Sequence, residues 1–409
     1  MTDDDLQQPS DDSAEAHASP VRARRWRRRV AIAGLVLALA VGASYVGTAV
    51  MHVPPPHTLA RLLTTAPSEQ GELFAAREVA PAEQPRALPA ATGEALPERV
   101  SWKGKEIPLE QVLTDTHTRG FLVLHHGRVV DDWYADGVGD TTRFSSWSVA
   151  KSVVSLLVGQ AIGRGELSEA DRLVDLVPKL RTGKGYDAIT LRDLLDMASG
   201  VDVAENYREW WPFTGTARLF LSTDLPGYLV DHRGLRFEPG SKGEYRSVDT
   251  QLLGMVLREV TGSSLAALLE RDLWQPAGAA AAATWNLDHD GGVEKAFCCL
   301  NATVPDFARI GQLVLDRGVV DGRQVVPEAW IDRISTPAPH AVSDWGYSAQ
   351  WWHPEGADDD FTAIGIHGQY IFVDPDTHTV IVKVSDHGTE QDELDTVQVM
   401  REIAVHLGG

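Results

Sequence analysis

The stretch Phe144-Ser-Ser-Trp-Ser-Val-Ala-Lys-Ser-Val-Val-Ser-Leu-Leu-Val158 decides the fold. Its serines offer N-cap oxygens, and the residues that follow predict a helix that is apolar nearly all round and therefore buried. Lys151 lies in the first turn, three residues after Ser148, so the two side chains share one face of the helix. Burial and the positive helix end both lower the pKa of an amine, and a serine beside a base can become a nucleophile.

The Ser-x-x-Lys spacing by itself is a weak signal, because chance supplies it in many chains of this length. The buried setting strengthens the catalytic interpretation, since a lysine on an apolar helix must be paired or functional. Arginine is also the usual cation of this chain, which has 37 basic residues but only 8 lysines. Lys151 is therefore a candidate general base.

The composition of the 409-residue chain is that of a globular protein with a formal net charge of −21. This charge argues against nucleic acid as a partner. The pair His125-His126 lacks the spacing of a metal site, so we expect no metal and no cofactor.

Residues 1–29 predict a disordered cytoplasmic tail that ends in a cluster of six arginines, Arg22-Ala-Arg-Arg-Trp-Arg-Arg-Arg29. Val30–Met51 follows as 22 residues without a charge, enough to span a bilayer as a transmembrane helix. The arginines predict a single-pass membrane protein with its N-terminus in the cytoplasm and its catalytic domain outside the cytoplasm. A cleaved signal peptide and a twin-arginine export signal are the alternatives.

Residues 52–99 are rich in proline and alanine and predict a stiff, poorly ordered linker. Residues 100–409 predict the folded domain. Its first strands are Gly120–His126 and Arg128–Tyr134, and its last are Phe361–Asp374 and His378–Ser385. Helical patterns dominate from about 165 to 290. The sequence thus predicts an α/β (α+β) fold, in which an antiparallel sheet flanked by helices carries an all-helical insertion, with the active site in the cleft between them.

Two further stretches carry candidate features. A turn-rich loop, Phe237–Ser247, leads into a helix and brings Tyr245 close to its start. Taken alone, such a tyrosine is more often a packing residue. Cys298 and Cys299 are adjacent, and because neighbouring cysteines rarely bridge without strain, we expect two buried, unbridged side chains.

Together these motifs resemble the serine β-lactamase and penicillin-recognising superfamily. Ser148-x-x-Lys151 is similar to its first motif, and Tyr245-Arg-Ser247 to its second motif in the tyrosine version. The stretches Trp285–Thr303 and Gly365–Gln369 are closer to the aminohexanoate-dimer hydrolases (nylon-oligomer hydrolases) and class C-like carboxylesterases. The resemblance covers roughly residues 100–405 and implies the β-lactamase/transpeptidase-like fold.

The resemblance implies a serine hydrolase that acts on small amide or ester substrates. Ser148 would form an acyl-enzyme, Lys151 and Tyr245 would transfer protons, and the backbone amides of Ser148 and Ile366 would hold the oxyanion. The residues it suggests for substrate binding are Tyr207, Asn301, Ser247 and His367.

The chain departs from the penicillin-recognising pattern in two places. Where that pattern has Lys or His, Ser or Thr, and then Gly, this chain has Ala363-Ile-Gly365, and Ser247 replaces the usual asparagine. Both changes weaken the expectation of a β-lactamase or DD-peptidase but leave the acylating residues intact. A non-catalytic binding protein of the same fold is the third possibility.

Overall fold

The computed structural model describes residues 20–206, 214–356, 359–388 and 392–409. The chain divides into two units at residues 51 and 52. The helices are α1 (Pro20–Val50), α2 (Pro56–Leu62), α3 (Leu109–Asp115), α4 (Val149–Gly163), α5 (Leu173–Leu176), α6 (Leu191–Leu195), α7 (Gly215–Phe220), α8 (Leu225–Asp231), α9 (Ser247–Thr261), α10 (Leu265–Leu268), α11 (Val304–Leu315), α12 (Glu328–Ile334) and α13 (Glu393–Gly408).

The strands alternate with these helices along the second unit. They are β1 (Ala76–Val79), β2 (Arg99–Trp102), β3 (Lys105–Pro108), β4 (Thr118–His125), β5 (Arg128–Tyr134), β6 (Phe144–Ser145), β7 (Ala283–Asn286), β8 (Leu300–Ala302), β9 (Val319–Val320), β10 (Arg323–Gln324), β11 (Gly346–Ser348), β12 (Trp351–His353), β13 (Phe361–Gly365), β14 (Gln369–Asp374) and β15 (Thr379–Ser385).

In the first unit the structure describes α1, whose large apolar side chains from Trp26 to Val50 are exposed. Its segment Arg24–Val50 is long and apolar enough to cross a membrane, a criterion that a signal sequence near the N-terminus also meets. Residues 1–19 lie outside the described residues, so their disorder stays a prediction. Residues 20–29 begin α1, however, and the assignment of the arginine cluster to a disordered tail was wrong.

A large antiparallel sheet organises the second unit. Within the described ranges this sheet has seven strands, in the order β11-β12-β13-β14-β15-β4-β5. Alternating side chains of its central strands face two apolar cores. Leu122, Ile371 and Val382 pack on the side of α4 and α11, while Phe121, Phe372 and Ile381 pack on the side of α3 and α13. The segments that form this sheet come from both ends of the domain, as the sequence predicts.

Helix α4 is buried along nearly its whole length. Every side chain from Val149 to Ala161 is buried, because the helix lies between the sheet and α9. Gly159 allows the indole of Trp330 on α12 to approach, since a Cβ on Gly159 would lie 2.2 Å from that ring. This packing fixes the N-terminal end of α4, where Ser148 and Lys151 lie.

The stretch Phe361–Asp374 is a hairpin, so its prediction as one strand was wrong. Strands β13 and β14 pair with Gly365 opposite Gln369, and residues 366–368 form the turn. His367 and Gly368 both have left-handed backbones, with φ of 70° and 84°. Glycine adopts this conformation without steric cost, and the turn reverses the chain beside Ser148.

The predicted linker is largely part of the folded domain. Strand β1 pairs with β7, and the 3-10 segment Pro67–Leu73 packs against β6. The Ser68 amide donates to the Asp386 carboxylate at 2.7 Å, and the Asn286 side chain donates to the Gly71 carbonyl at 2.8 Å. Proline interrupts regular structure in an isolated segment, but these tertiary contacts order this one. Strand β7 also shows that the insertion at 165–290 is not wholly helical.

Candidate active site

Ser148 is presented by a sharp turn between β6 and α4. Trp147 has a left-handed backbone with φ of 46°, a conformation that costs energy for a bulky residue. The indole nitrogen of Trp147 donates to the Pro67 carbonyl at 3.1 Å, and its ring stacks on Phe220. The hydroxyl of Ser148 does not cap its own helix, although Ser148 occupies the N-cap position. The turn therefore leaves this hydroxyl available to the groups around it.

Lys151 reaches the Ser148 hydroxyl from the first turn of α4. Its Nζ lies 2.7 Å from Ser148 Oγ and donates to the Phe297 carbonyl at 2.8 Å. The side chain is buried, and this burial lowers the pKa of the Lys151 amine to about 7, an effect that the negative charge of Glu205 opposes. An amine with a pKa near neutrality is available as a base at physiological pH.

Tyr245 approaches the same hydroxyl from the loop that precedes α9. Its ring centre lies 5.0 Å from Lys151 Nζ, and its phenol interacts with the Ser148 side chain. Burial raises the pKa of the Tyr245 phenol, and the charge of Glu205 raises it further. The phenol therefore keeps its proton at neutral pH and can donate it. The structure thus brings together the three side chains to which the sequence assigns the chemistry.

The backbone amide of Ser148 lies close to Gly365, and that of Ile366 follows Gly365 in the chain. A Cβ on Gly365 would lie 2.6 Å from the Ser146 carbonyl and 3.0 Å from the Ser148 nitrogen, so only glycine lets β13 approach the start of α4 this closely. Within the described part of the chain, no backbone carbonyl accepts from the amide of Ser148 or of Ile366. Two amides in this position can hold a developing oxyanion.

The residues predicted for substrate binding have different positions. Ser247 is buried, lines a cavity beside Ser148 and donates from Oγ to Glu205 at 2.7 Å. His367 lines the same cavity, and its Nδ1 lies 3.0 Å from the His387 carbonyl. Asn301 points into the four-stranded sheet instead, where its amide donates to Thr284, and it is not among the residues that line the cavities at Ser148. Tyr207 lies outside the described residues.

Sequence reasoning missed the carboxylate of Glu205. It accepts the amide of Ser247 at 2.8 Å and the hydroxyl of Thr216 at 2.6 Å, and its charge acts on both Lys151 and Tyr245. The stretch Ala204-Glu205-Asn206 contains no periodicity or motif that marks it. Only the folded chain places it beside the second motif.

The prediction of unbridged cysteines was wrong, because Cys298 and Cys299 form a disulfide with each other. Cys299 has a left-handed backbone with φ of 70°, which lets the chain turn sharply just before β8. The turn follows directly on Phe297, whose carbonyl accepts the hydrogen bond from Lys151. The disulfide thus restrains the segment that holds the Lys151 amine.

Two cavities contain Ser148 in the part of the chain that the structure describes. The larger, of about 770 Å3, is lined by Tyr245, Trp345, Trp352 and several carboxylates, and we name it the acidic cavity. The smaller, of about 480 Å3, is lined by leucines of α2 and its end, Trp147 and Phe220, and we name it the apolar cavity. Both volumes are in the range of small-molecule sites.

Comparison with known proteins finds similarity over most of the chain. The family model described as Beta-lactamase matches residues 109–404. The chain is 31% identical over 307 residues to the 6-aminohexanoate-dimer hydrolase of Paenarthrobacter ureafaciens, an alignment that covers 68% of this chain and 74% of that protein. These matches confirm the resemblance noted from the sequence motifs.

Solved structures share the fold. A putative 6-aminohexanoate-dimer hydrolase from Bacillus anthracis matches with a TM-score of 0.75 at 24% identity, over 83% of this chain and 93% of that chain. A penicillin binding protein from Bacillus halodurans matches with a TM-score of 0.57 at 18% identity, over 72% and 99%. The predicted fold class is therefore confirmed.

The charge of Glu205 gives a testable property of the site. Because this charge raises the pKa of the Lys151 amine, Glu205→Gln should lower that pKa. We expect the pH midpoint for phosphonylation of Ser148 by a fluorophosphonate to move to lower pH, since the base loses its proton earlier. Glu110→Gln, an exposed carboxylate of α3, is the control and should leave the midpoint in place. A midpoint that stays or rises in Glu205→Gln would contradict the assignment.

Proposed function

The chain belongs to the beta-lactamase family, and within it we propose a serine hydrolase that cleaves amide or ester bonds through an acyl-enzyme on Ser148. One observation carries the proposal: a buried amine lies 2.7 Å from the hydroxyl of a serine at a helix N-terminus. Relatives of the chain include a 6-aminohexanoate-dimer hydrolase, so hydrolysis is established among its homologues. The residues and the substrate class are our assignment.

Acylation begins at the Ser148–Lys151 pair. The neutral Lys151 amine takes the hydroxyl proton as Ser148 Oγ attacks the carbonyl carbon of the substrate, which forms one C–O bond and an oxyanion. The amides of Ser148 and Ile366 stabilise that charge, as does the positive end of α4. The Phe297 carbonyl keeps a hydrogen bond to Lys151 Nζ, and so stabilises the ammonium that results.

Tyr245 then completes the step on the leaving-group side. Its phenol donates a proton to the departing amine or alcohol as the scissile bond breaks, and the proton held by Lys151 restores the phenol. Lys151 Nζ lies 2.7 Å from Ser148 Oγ and the Tyr245 phenol also interacts with Ser148, so this transfer is short. In deacylation a water molecule attacks the ester, gives its proton to the same pair and releases the acid and the Ser148 hydroxyl.

The third-motif position disfavours a β-lactam as substrate. Ala363 and Ile364 on β13 are buried and apolar, and they offer no cation or hydroxyl to a β-lactam carboxylate. His367 is placed near this position, but its ring packs against Trp147 and its Nδ1 faces the His387 carbonyl. These contacts support an amidase or esterase instead.

We further propose that α1 anchors the enzyme in a membrane, with its six arginines in the cytoplasm and the catalytic domain outside it. The helix has the length and composition of a span, and arginines favour the cytoplasmic side. The substrate is a small molecule, and the negative net charge disfavours nucleic acid.

A fluorophosphonate probe tests the nucleophile. We expect the full chain to be labelled on Ser148, and Ser148→Ala to abolish both labelling and the turnover of a nitrophenyl ester. The matched control is Ser152→Ala on the same helix, because the Ser152 hydroxyl donates to the Gln350 carbonyl and is not placed in the reaction. Labelling that persists in Ser148→Ala, as seen by peptide mass spectrometry, would contradict the proposal.

Tyr245→Phe separates proton donation from nucleophilic attack. An amide needs a proton on its leaving nitrogen, whereas nitrophenolate leaves unprotonated, so kcat/KM for an anilide should fall by roughly 10² to 10⁴ and that for a nitrophenyl ester by roughly tenfold or less. Tyr347→Phe is the control, since Tyr347 packs on the same Trp352. Equal losses on both substrates would assign Tyr245 a packing role.

The anchor is tested by alkaline carbonate extraction of membranes. We expect the full chain to stay in the membrane pellet with its N-terminal segment uncleaved, as read by mass spectrometry. Leu37→Arg combined with Val41→Arg should release it, because each charge costs about 2.5–3.5 kcal/mol in the centre of a span. A soluble chain that begins beyond residue 51 would indicate a cleaved signal peptide.

A further inference from the structure

The two cavities at Ser148 differ in chemistry, and this difference specifies the substrate. The scissile bond must lie at Ser148, so the two parts of the substrate extend into different surroundings. Both cavities also contain Ile366, whose amide we assign to the oxyanion. They therefore meet at the reacting carbonyl.

The apolar cavity is closed by a segment that precedes the family match at residue 109. Leu59 and Leu62 of α2, with Leu63 and Pro67, form a wall of this cavity, and Trp147 and Phe220 also line it. The contacts of Ser68 with Asp386 and of Asn286 with Gly71 hold this segment in place. The wall is thus a fixed part of the site, and it favours an apolar group through burial from water.

The acidic cavity has carboxylates and aromatic rings in its walls. Its titratable lining consists of the carboxylates Glu205, Glu244, Asp392, Glu393 and Asp395, the guanidinium groups Arg236 and Arg246, and Tyr245. Both guanidinium groups form ion pairs with Glu244. Tyr245 stacks on Trp352 with ring centres 5.3 Å apart, and Trp345 meets Trp352 edge to face. Aromatic faces and excess carboxylates together bind cations.

Tyr245 decides which part of the substrate enters which cavity. Its side chain lines the acidic cavity and is not among the residues that line the apolar one. The group that protonates the leaving atom must lie on the leaving-group side of the carbonyl. The leaving group therefore extends into the acidic cavity, and the acyl group into the apolar one.

We propose that the substrate is an ester or amide that joins an apolar acyl group to an amine or alcohol carrying a positive charge. This inference rests on the proposed function. In the reaction the bond from the acyl carbon to the leaving oxygen or nitrogen breaks, the Ser148 ester forms, and the leaving group departs with one proton and its positive charge. Water then releases the apolar carboxylic acid.

The test compares hexanoylcholine with 3,3-dimethylbutyl hexanoate, which replaces the ammonium nitrogen by carbon. Each kcat/KM is divided by the hydroxide-catalysed rate of the same ester, which removes the difference in leaving-group reactivity. With the full chain at low salt we expect the cationic ester to be favoured by about tenfold or more. Added salt should reduce this ratio, because it screens the carboxylates.

Substitutions in the acidic cavity locate the preference. Glu393→Gln combined with Asp395→Asn should lower the cationic-to-neutral ratio, whereas Glu110→Gln, an exposed carboxylate of α3, should leave it unchanged. A wild-type ratio of one or less overturns the inference without any variant. A cationic-to-neutral ratio that is unchanged in the double variant overturns the inference as well.

The acyl side is tested with acylcholines from acetyl to octanoyl. We expect kcat/KM to rise by roughly threefold per methylene until the cavity is full. Leu59→Ala with Leu62→Ala should flatten this rise, whereas Val405→Ala, on an exposed part of α13, should not. A wild-type series without a rise overturns the acyl assignment.

The proposed function and the inference can fail separately. If neither ester is turned over and no fluorophosphonate labels Ser148, the proposed function fails and the inference fails with it. If the esters are turned over without a preference for the cationic one, only the inference is overturned.

Discussion

The hydrogen bond between Lys151 and Ser148 is the interaction on which the rest of the site depends. Proton transfer from Ser148 to Lys151 requires an amine that has lost its own proton, and burial in the centre of the domain lowers the pKa of Lys151 to about 7. The apolar surroundings of α4 are therefore a requirement of the chemistry as well as of the fold. The Phe297 carbonyl, fixed beside the Cys298–Cys299 disulfide, gives the amine a partner in either protonation state.

A lowered pKa does not by itself identify this base. Burial also lowers the pKa values of Lys295 and Lys383 to about 7. The Lys295 amine donates to the Phe220 carbonyl and lies over the Phe74 ring, and Lys383 contacts Ser385 inside the sheet. Among the described residues, Ser148 lines both cavities, whereas Ser385 lines neither of them. Of these three lysines, only Lys151 combines a depressed pKa with a serine that lines a cavity.

The sequence predicted the parts of the site that short-range patterns encode. Ser148 and Lys151 share a helix face, and Tyr245 lies within a recognisable motif, so all three could be found. Glu205 could not, because its position depends on a contact with Ser247 across 42 residues of chain. The turn at His367 was missed because the apolar residues of Phe361–Asp374 alternate through it; the glycines at 365 and 368 were the available signal.

Dependence on contacts between residues far apart in the sequence also explains the errors in the predicted fold. The segment before residue 100 has the composition of a linker, yet its backbone groups pair with β7 and with side chains far along the chain. Adjacent cysteines carry no local signal for pairing, because the outcome depends on the backbone of Cys299. Composition and periodicity do not reveal the tertiary contacts that supply hydrogen bonds to a segment whose own structural preference is weak.

The measurement that tests the central claim most directly is an NMR titration of the lysine side-chain amines in the full chain, labelled with 15N at Nζ. Eight lysines make the assignment of Lys151 by substitution practical. If Lys151 is the base, we expect its amine to lose its proton with a midpoint near pH 7. A midpoint near the ordinary lysine value of about 10.4 would show a cation beside Ser148 and would contradict the account.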